Sequence, residues 1–290
     1  MSSSHSGDVV FEQANYYFIN CILKQHDESL ALEEVSKLRE RNPSSPIWDD
    51  IDFLFGSYCF YSNQYSQAST WFIDLVNNHP DSMYHAEGLL YQMWLSFLSH
   101  DDRMVEQFFT TLTTNYPNSP KVATGWNEKA RFQLQRENYD QAIQIYNYVL
   151  ANYTQYKWAI ADAHKGLGEA YLNQFNFSKA LIQYQLITSL NINSKWNVIA
   201  EIFTGYTYSV EKDYPNAILQ YQHIISNYPD QPTYQAQAQY RIGECYYRQR
   251  LYDDALNSFQ RVLTQYPSSQ WTAPANDKIN SIKAVLGQQP

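Results

Sequence analysis

Apolar and polar residues follow a helical period through most of this chain, most clearly between Ala236 and Pro267. The pattern predicts two amphipathic helices joined by a tight turn. Small residues stand where the two helices must touch: Ala236, Gly243 and Ala255. Large apolar residues flank them: Ile242, Tyr246, Phe259, Val262 and Leu263. Pro267 closes the unit, because proline lacks the N–H group that would continue a helix.

The same pattern recurs toward the N-terminus with a step of 37 or 38 residues. The closing positions are Pro43, Pro80, Pro117, Thr154, Ile192, Pro229 and Pro267. Twelve residues before each of them stand Ala31, Ala68, Val105, Ala142, Ala180, Ala217 and Ala255. Eight residues before stand Val35, Phe72, Phe109, Tyr146, Tyr184, Tyr221 and Phe259. Twenty-four residues before stand Ile19, Gly56, Met93, Ala130, Gly168, Gly205 and Gly243.

These columns predict seven helix–turn–helix units over residues 10–267, with starts near residues 12, 49, 86, 123, 161, 198 and 236. After them, Trp271 to Leu286 predicts one capping helix, with Pro274 in its first turn, inside a segment 268–290 that ends in a short tail. We expect this helix to cover the apolar face left open by the seventh unit. Residues 1–9 are predicted to be a disordered tail or an expression remnant.

The unit resembles the tetratricopeptide repeat (TPR), a helix–turn–helix unit of about 34 residues. The residues that carry the likeness are Ile242, Gly243, Tyr246, Tyr252, Ala255, Phe259 and Pro267. The resemblance implies an all-α fold, a right-handed α-solenoid of about seven units plus a C-terminal capping helix. The longer step and the Tyr-Pro-x-Ser junctions are similar to a bacterial subgroup in cell-envelope proteins, of the outer-membrane assembly and Tol–Pal-associated types.

Charge and composition narrow the class of partner. The net charge is −9 and no run of basic residues occurs, which disfavours nucleic acid and anionic membranes as partners. No apolar run is long enough for a transmembrane segment. The three cysteines, Cys21, Cys59 and Cys245, form no C-x-x-C pair and are predicted to be buried free thiols.

The N-terminal residues leave the compartment open. The segment MSSSHSGD at residues 1–8 lacks the basic and apolar regions of a signal peptide. We expect a cytoplasmic protein if Met1 is the native start, and a periplasmic protein if a signal peptide was removed.

Catalytic motifs are missing from the sequence. Gly166-x-Gly168 is a weak match to a phosphate-binding loop, and the repeat columns explain its glycines better. Asp49, Asp50 and Asp52 open a predicted helix, where acids complement the helix dipole. No two histidines are spaced as metal ligands on one helix face. We therefore expect no enzyme activity, no cofactor and no metal.

A binding surface is the remaining functional feature. The resemblance implies that the first helix of each unit lines a concave groove, with the second, fifth, ninth, twelfth and thirteenth residue of each unit facing a partner. The candidate groove residues are Tyr61, Trp94, Asn127, Arg131, Lys165, Glu169, Tyr206, Tyr240, Glu244, Tyr247 and Arg248. Asn127, Arg131 and Lys165 are candidates to hold a carboxylate. The alternative is that Asp162, Lys165 and Glu169 simply pair with one another along their helix.

The sequence thus predicts a non-enzymatic interaction scaffold or adaptor that binds a peptide or protein partner in the groove. A homo-oligomer is compatible with this function. The alternative is a periplasmic envelope assembly or coordination factor of the outer-membrane or Tol–Pal type.

Overall fold

The computed structural model describes residues 4–287, which form fifteen α-helices and no strand. In chain order the helices are α1 (Ser4–Lys24), α2 (Glu28–Arg41), α3 (Trp48–Tyr61), α4 (Tyr65–Asn78), α5 (His85–Leu98), α6 (Asp102–Asn115), α7 (Pro120–Gln135), α8 (Tyr139–Asn152), α9 (Lys157–Asn173), α10 (Phe177–Ser189), α11 (Ser194–Glu211), α12 (Tyr214–Asn227), α13 (Pro232–Arg248), α14 (Tyr252–Gln265) and α15 (Thr272–Val285). The predicted all-α helical repeat fold is confirmed.

The beginning of the chain differs from the expected disordered tail. Helix α1 begins at Ser4, so residues 4–9 are helical. Residues 1–3, and residues 288–290 of the predicted C-terminal tail, lie outside the described part of the chain.

The helices group into two compact units, residues 1–125 and residues 126–290. In the first unit α3 packs on α4, α4 on α5 and α5 on α6. In the second unit each helix from α8 to α15 packs on the next one along the chain. Sequence neighbours are thus also neighbours in space, as expected for helices joined by short turns.

In four of the helix pairs, a glycine of the first helix faces an aromatic ring of the second: Gly56 and Phe72, Gly168 and Tyr184, Gly205 and Tyr221, and Gly243 and Phe259. A Cβ atom built on Gly56 would lie 2.7 Å from Cε1 of Phe72. The same distance separates a Cβ on Gly243 from Cε1 of Phe259. Because real carbon contacts are wider than this, only glycine lets the ring lie against the backbone at these positions.

The turn inside each pair contains a residue in the left-handed region, and none of these residues is glycine. They are His26, Asn63, His100, Glu137, Phe175, Lys212 and Arg250, with φ between 58° and 70°. At Arg250 the backbone N–H donates to the carbonyl of Tyr247, and the N–H of Leu251 donates to that of Tyr246, both at 3.0 Å. This is the Schellman arrangement that ends many helices. The sequence columns did not reveal it, because glycine is the usual signal.

The last helix covers the end of the second unit. Ala275, Ile279 and Ile282 of α15 are buried and pack with Phe259 and Val262 of α14. The apolar face of the last pair is therefore covered by the segment in which the sequence predicted a capping helix.

Two predictions about individual side chains need correction. Cys59 and Cys245 are buried free thiols as predicted, whereas Cys21 is exposed. The buried face of α1 carries Ile19, Ile22 and Leu23, and position 21 lies outside that set.

Asp52 does not simply open a helix as the sequence suggested. Asp49 and Asp50 lie in the first turn of α3, but Asp52 is buried, and its Oδ1 accepts no hydrogen bond from the described residues. The guanidinium of Arg39 is 3.9 Å from Oδ1. Burial, with the nearby charge of Asp74, raises the pKa of Asp52 to about 7.

Replacing Gly243 with Ala should destabilise the protein by about 1 kcal/mol. Overpacking strain of ~1–3 kcal/mol against Phe259 offsets and exceeds the ~1 kcal/mol that alanine gains in helix propensity. Urea unfolding of the purified variant measures the change.

The double variant Gly243→Ala with Phe259→Leu provides the control. A smaller, more adaptable side chain at 259 should reduce the cost of the added methyl group. If Gly243→Ala costs the same in both backgrounds, the ring does not set the glycine requirement.

Candidate functional site

The two candidate groove residues of the first unit are accessible. Tyr61 is 75% exposed at the end of α3, and its hydroxyl lies 3.2 Å from that of Tyr91. Tyr91 stacks on the buried ring of Phe72 with 4.4 Å between ring centroids, so the core fixes the position of this neighbour of Tyr61. Trp94 is half-buried on α5. Both side chains therefore stay proposed contacts.

Two candidates of the second unit are packing residues. Asn127 is 1% exposed, and its Nδ2 donates to the carbonyl of Ala159 at 2.9 Å. Tyr240 is 7% exposed and packs between Phe259 and Trp271, with centroid distances of 5.3 and 4.9 Å. The prediction that these two residues contact a partner is wrong, because the neighbouring helices already cover them.

Arg131 is committed to a network of ion pairs. Its Nη1 donates to both carboxylate oxygens of Glu128, at 2.8 and 2.9 Å. Its Nη2 lies 3.0 Å from Oδ2 of Asp162. Burial raises the pKa of Glu128, since it disfavours the charged carboxylate. Arg131 thus balances the negative charges of Glu128 and Asp162. Its Nη1 and Nη2 groups are engaged by these two acids and are not free to hold a ligand carboxylate.

Lys165 and Glu169 extend this network along α9. The Nζ of Lys165 is 3.5 Å from Oδ1 of Asp162 and 3.9 Å from Oε1 of Glu169. Burial also raises the pKa of Glu169. The alternative interpretation, that these helix neighbours pair with one another, describes the structure. The predicted carboxylate site of Asn127, Arg131 and Lys165 is not formed.

A cleft of about 370 Å³ lies between α9, α11 and α13 in the second unit. We call it the α9–α11–α13 cleft. Its lining residues are Lys165, Trp196, Ile199, Ile202, Phe203, Tyr206, Tyr234, Gln237 and Arg241. The walls are therefore aromatic and aliphatic, and the charged side chains of the lining are both cations.

The second cation, Arg241, is held by aromatic rings. Its guanidinium carbon lies 5.4 Å from the ring centroid of Tyr206 and 5.6 Å from that of Trp271. Its Nη1 lies 2.6 Å from Oε2 of Glu244. The candidate groove residue Glu244 therefore pairs with Arg241. Stacking and pairing together fix the guanidinium at the cleft.

The last candidates lie outside the cleft lining. Tyr247 is half-buried, with the Nζ of Lys278 5.1 Å from its ring centroid. Arg248 is exposed at the end of α13. Sequence reasoning found Lys165 and Tyr206 but missed Phe203 and Arg241. Each of these is the sixth residue of its predicted unit, one position from those that the resemblance marks as groove-facing.

The part of the chain that the structure describes offers neither a metal site nor a membrane span. No group of three or more His, Cys, Asp or Glu is placed to hold an ion among the side chains that the structure describes, those of residues 11–287. No helix in that range combines the length and the apolar character needed to cross a bilayer.

Comparison with known proteins finds tetratricopeptide-repeat matches in two segments of the chain. Tetratricopeptide-repeat family profiles match residues 134–190 and residues 237–269. Outer membrane protein assembly factor BamD of Rickettsia prowazekii (strain Madrid E) is 25% identical over an alignment of 240 residues, and the match covers 74% of this chain and 92% of that protein.

Solved structures share the fold. A tetratricopeptide repeat protein from Parabacteroides merdae covers 93% of this chain with a TM-score of 0.64 and 12% identity, over 98% of its own chain. PilF of Pseudomonas aeruginosa covers 82% with a TM-score of 0.52 and 14% identity, over 97% of its own chain. The repeat profiles match this chain over residues 134–190 and 237–269, and these solved structures show that the fold is shared. Repeats of this family are protein-interaction scaffolds, and neither matching profile is that of an enzyme family.

Replacing Arg131 with Gln should lower the free energy of unfolding by about 1–2 kcal/mol. The change leaves Glu128 buried without its cation, and the remaining solvent contact of the pair moderates the cost. Thermal and urea unfolding measure it.

The matched control is Arg248→Gln, which removes an exposed guanidinium from the same unit and should change stability by less than about 0.5 kcal/mol. Equal effects of the two substitutions would show that the network around Arg131 contributes nothing specific.

Proposed function

We propose that this protein is a non-enzymatic scaffold that binds a peptide segment of a partner protein in the α9–α11–α13 cleft. The observation that carries the proposal is the lining of that cleft, in which aromatic and aliphatic walls stand beside two fixed cations. Tyr206 is 37% exposed there, with the guanidinium of Arg241 over its ring. Aromatic and arginine side chains in a partly desolvated pocket are the usual anchors of protein interfaces.

The lining indicates the chemistry of the segment. Burying one large apolar or aromatic side chain contributes about 1.5–3 kcal/mol, and the cleft volume admits such a side chain. Asp162 and Glu169 lie 3.5 and 3.9 Å from the Nζ of Lys165, beyond the usual hydrogen-bond distance, so this ammonium can donate to a carboxylate beside the apolar side chain, either an acidic side chain or a free C-terminus. We therefore propose that the ligand is an apolar residue adjacent to a carboxylate.

The acids that pair with these cations support this arrangement. Asp162, Glu169 and Glu244 contact Lys165 or Arg241, yet none of the three lines the cleft. Their contacts hold the cationic side chains in one position, so that less side-chain entropy is lost when a ligand binds.

The proposal predicts the sequence preference and the sensitive residues. Peptide display on the purified protein should enrich sequences with an aromatic or large aliphatic residue next to Asp, Glu or the C-terminus. Tyr206→Ala and Lys165→Gln should each weaken the binding of a selected peptide about tenfold or more, measured by fluorescence anisotropy.

Phe175→Ala and Arg248→Gln are the matched controls, because both remove exposed side chains of the same kind outside the cleft. Both should bind the selected peptide like the unaltered protein. Binding that tolerates the Tyr206 and Lys165 substitutions, or that is lost equally in the controls, would contradict the cleft as the site.

A finer proposal is that the partner belongs to outer membrane protein assembly. It is supported by the likeness to BamD over 74% of this chain. Under this proposal the protein acts in the cell envelope. A C-terminally tagged copy, expressed from the native gene in its own host, should fractionate with the periplasm or outer membrane. It should also cross-link to an outer-membrane assembly protein. Recovery in the cytosolic fraction would reject this pathway while leaving the cleft proposal intact.

A further inference from the structure

The first unit contains a second pocket, of about 580 Å³, where the middle of α1 meets the starts of α3 and α5. We call it the α1–α3 pocket. Its lining residues are Glu12, Gln13, Tyr16, Tyr17, Asn20, Pro46, Ile47, Asp50 and Tyr84. The lining contains two carboxylates and three tyrosines, and no lysine, arginine or histidine.

Glu12 brings a buried and half-satisfied carboxylate to this pocket. The residue is 7% exposed. Its Oε1 accepts hydrogen bonds from Nδ2 of Asn42 at 3.0 Å and from Oγ of Ser45 at 2.7 Å. Its Oε2 accepts none from the residues that the structure describes. These two donors fix the carboxylate at the pocket but do not neutralise its charge.

Asp50 supplies the second carboxylate. It is half-buried, and the hydroxyl of Tyr84 lies close to its carboxylate. Burial, followed by the neighbouring charge of Asp49, raises the pKa of Asp50, as expected for an acid without a cation. The Tyr84 ring stacks on Phe53 with 4.3 Å between centroids, so its position is set by the core.

The tyrosines of α1 complete the pocket. Tyr17 is 64% exposed, and its ring meets Tyr16 edge-on with 5.6 Å between centroids. Arginines of α2 do not line the pocket: the guanidinium of Arg39 lies over Trp48 at 4.8 Å, and that of Arg41 over Phe11 at 5.6 Å. The pocket therefore combines negative charge with aromatic faces, and the nearby guanidinium groups are engaged elsewhere.

We propose that the α1–α3 pocket binds a cationic side chain, arginine or lysine, presented by a partner protein. A cation gains charge-assisted hydrogen bonds from the two carboxylates and is attracted to the tyrosine faces. An apolar occupant would leave the free oxygen of Glu12 buried without a donor. An anionic occupant would be repelled by both acids.

This pocket is independent of the α9–α11–α13 cleft. It belongs to the other compact unit and shares no residue with the cleft. It also selects the opposite charge. Failure of one proposal therefore leaves the other standing.

The test uses small probes of matched shape and different charge. N-acetyl-arginine amide and N-acetyl-lysine amide are titrated into the full-length protein, and NMR follows the ring signals of labelled tyrosine. N-acetyl-citrulline amide is the neutral match of the arginine probe. We expect saturable shifts of the Tyr16, Tyr17 and Tyr84 signals with one or both cationic probes, and at least fivefold weaker binding of the citrulline probe.

Two variants locate the effect. Asp50→Asn should weaken the cationic probe at least fivefold, whereas Asp49→Asn removes the same charge from the neighbouring residue outside the lining and should change binding less than twofold. Circular-dichroism melting checks that both variants are folded.

The proposal is overturned if neither cationic probe shifts these signals, or if the citrulline probe binds as well as the arginine probe. It is also overturned if Asp49→Asn weakens binding as much as Asp50→Asn. The comparison of probes on the unaltered protein decides the question even if Asp50→Asn fails to fold.

Discussion

The structure depends on the contact between an aromatic ring of one helix and a glycine of the helix before it. Phe72 fills the space above Gly56 in the first unit, and Phe259 does so above Gly243 in the second. The contact recurs elsewhere with tyrosine. At Tyr184 and Tyr221 it buries a hydroxyl that finds no partner among the described residues. Leaving such a group unpaired costs about 1–3 kcal/mol, a cost that the phenylalanine rings at the equivalent positions do not carry.

The same contact separates the residues that build the fold from those that can bind. The ring occupies one face of the first helix, and the side chains beside the glycine point to another. Tyr206 directly follows Gly205, about 100° around the helix from it, and lines the cleft. Variation at such positions leaves the ring contact intact. A repeat can therefore change its ligand without changing its packing.

The sequence predicted the fold better than the site, and particular residues show why. The columns of alanine, glycine and aromatic residues correspond to contacts between the two helices of one pair. Because these contacts recur from unit to unit, comparing the units along the sequence is enough to find them. Burial of Tyr240 depends on Trp271, which lies outside the repeats. Burial of Asn127 depends on a carbonyl of α9. Such contacts occur once and do not recur from unit to unit, so they produce no periodic pattern in the sequence. The left-handed turn residues were missed for a similar reason, because their identities differ from one turn to the next.

Local charge decides what each unit can recognise, and the net charge of −9 does not describe it. Lys165 and Arg241 give the cleft of the second unit a cationic lining, although acids outside that lining pair with both. Glu12 and Asp50 give the pocket of the first unit an acidic one. At physiological ionic strength, charges separated by more than about 8 Å are largely screened. Asp162, Glu169 and Glu244 lie within 3.9 Å of the two cations, inside that screening length, so their charges offset the cationic lining of the cleft. The lining of the first-unit pocket contains no cation, so its negative charge is not offset in the same way.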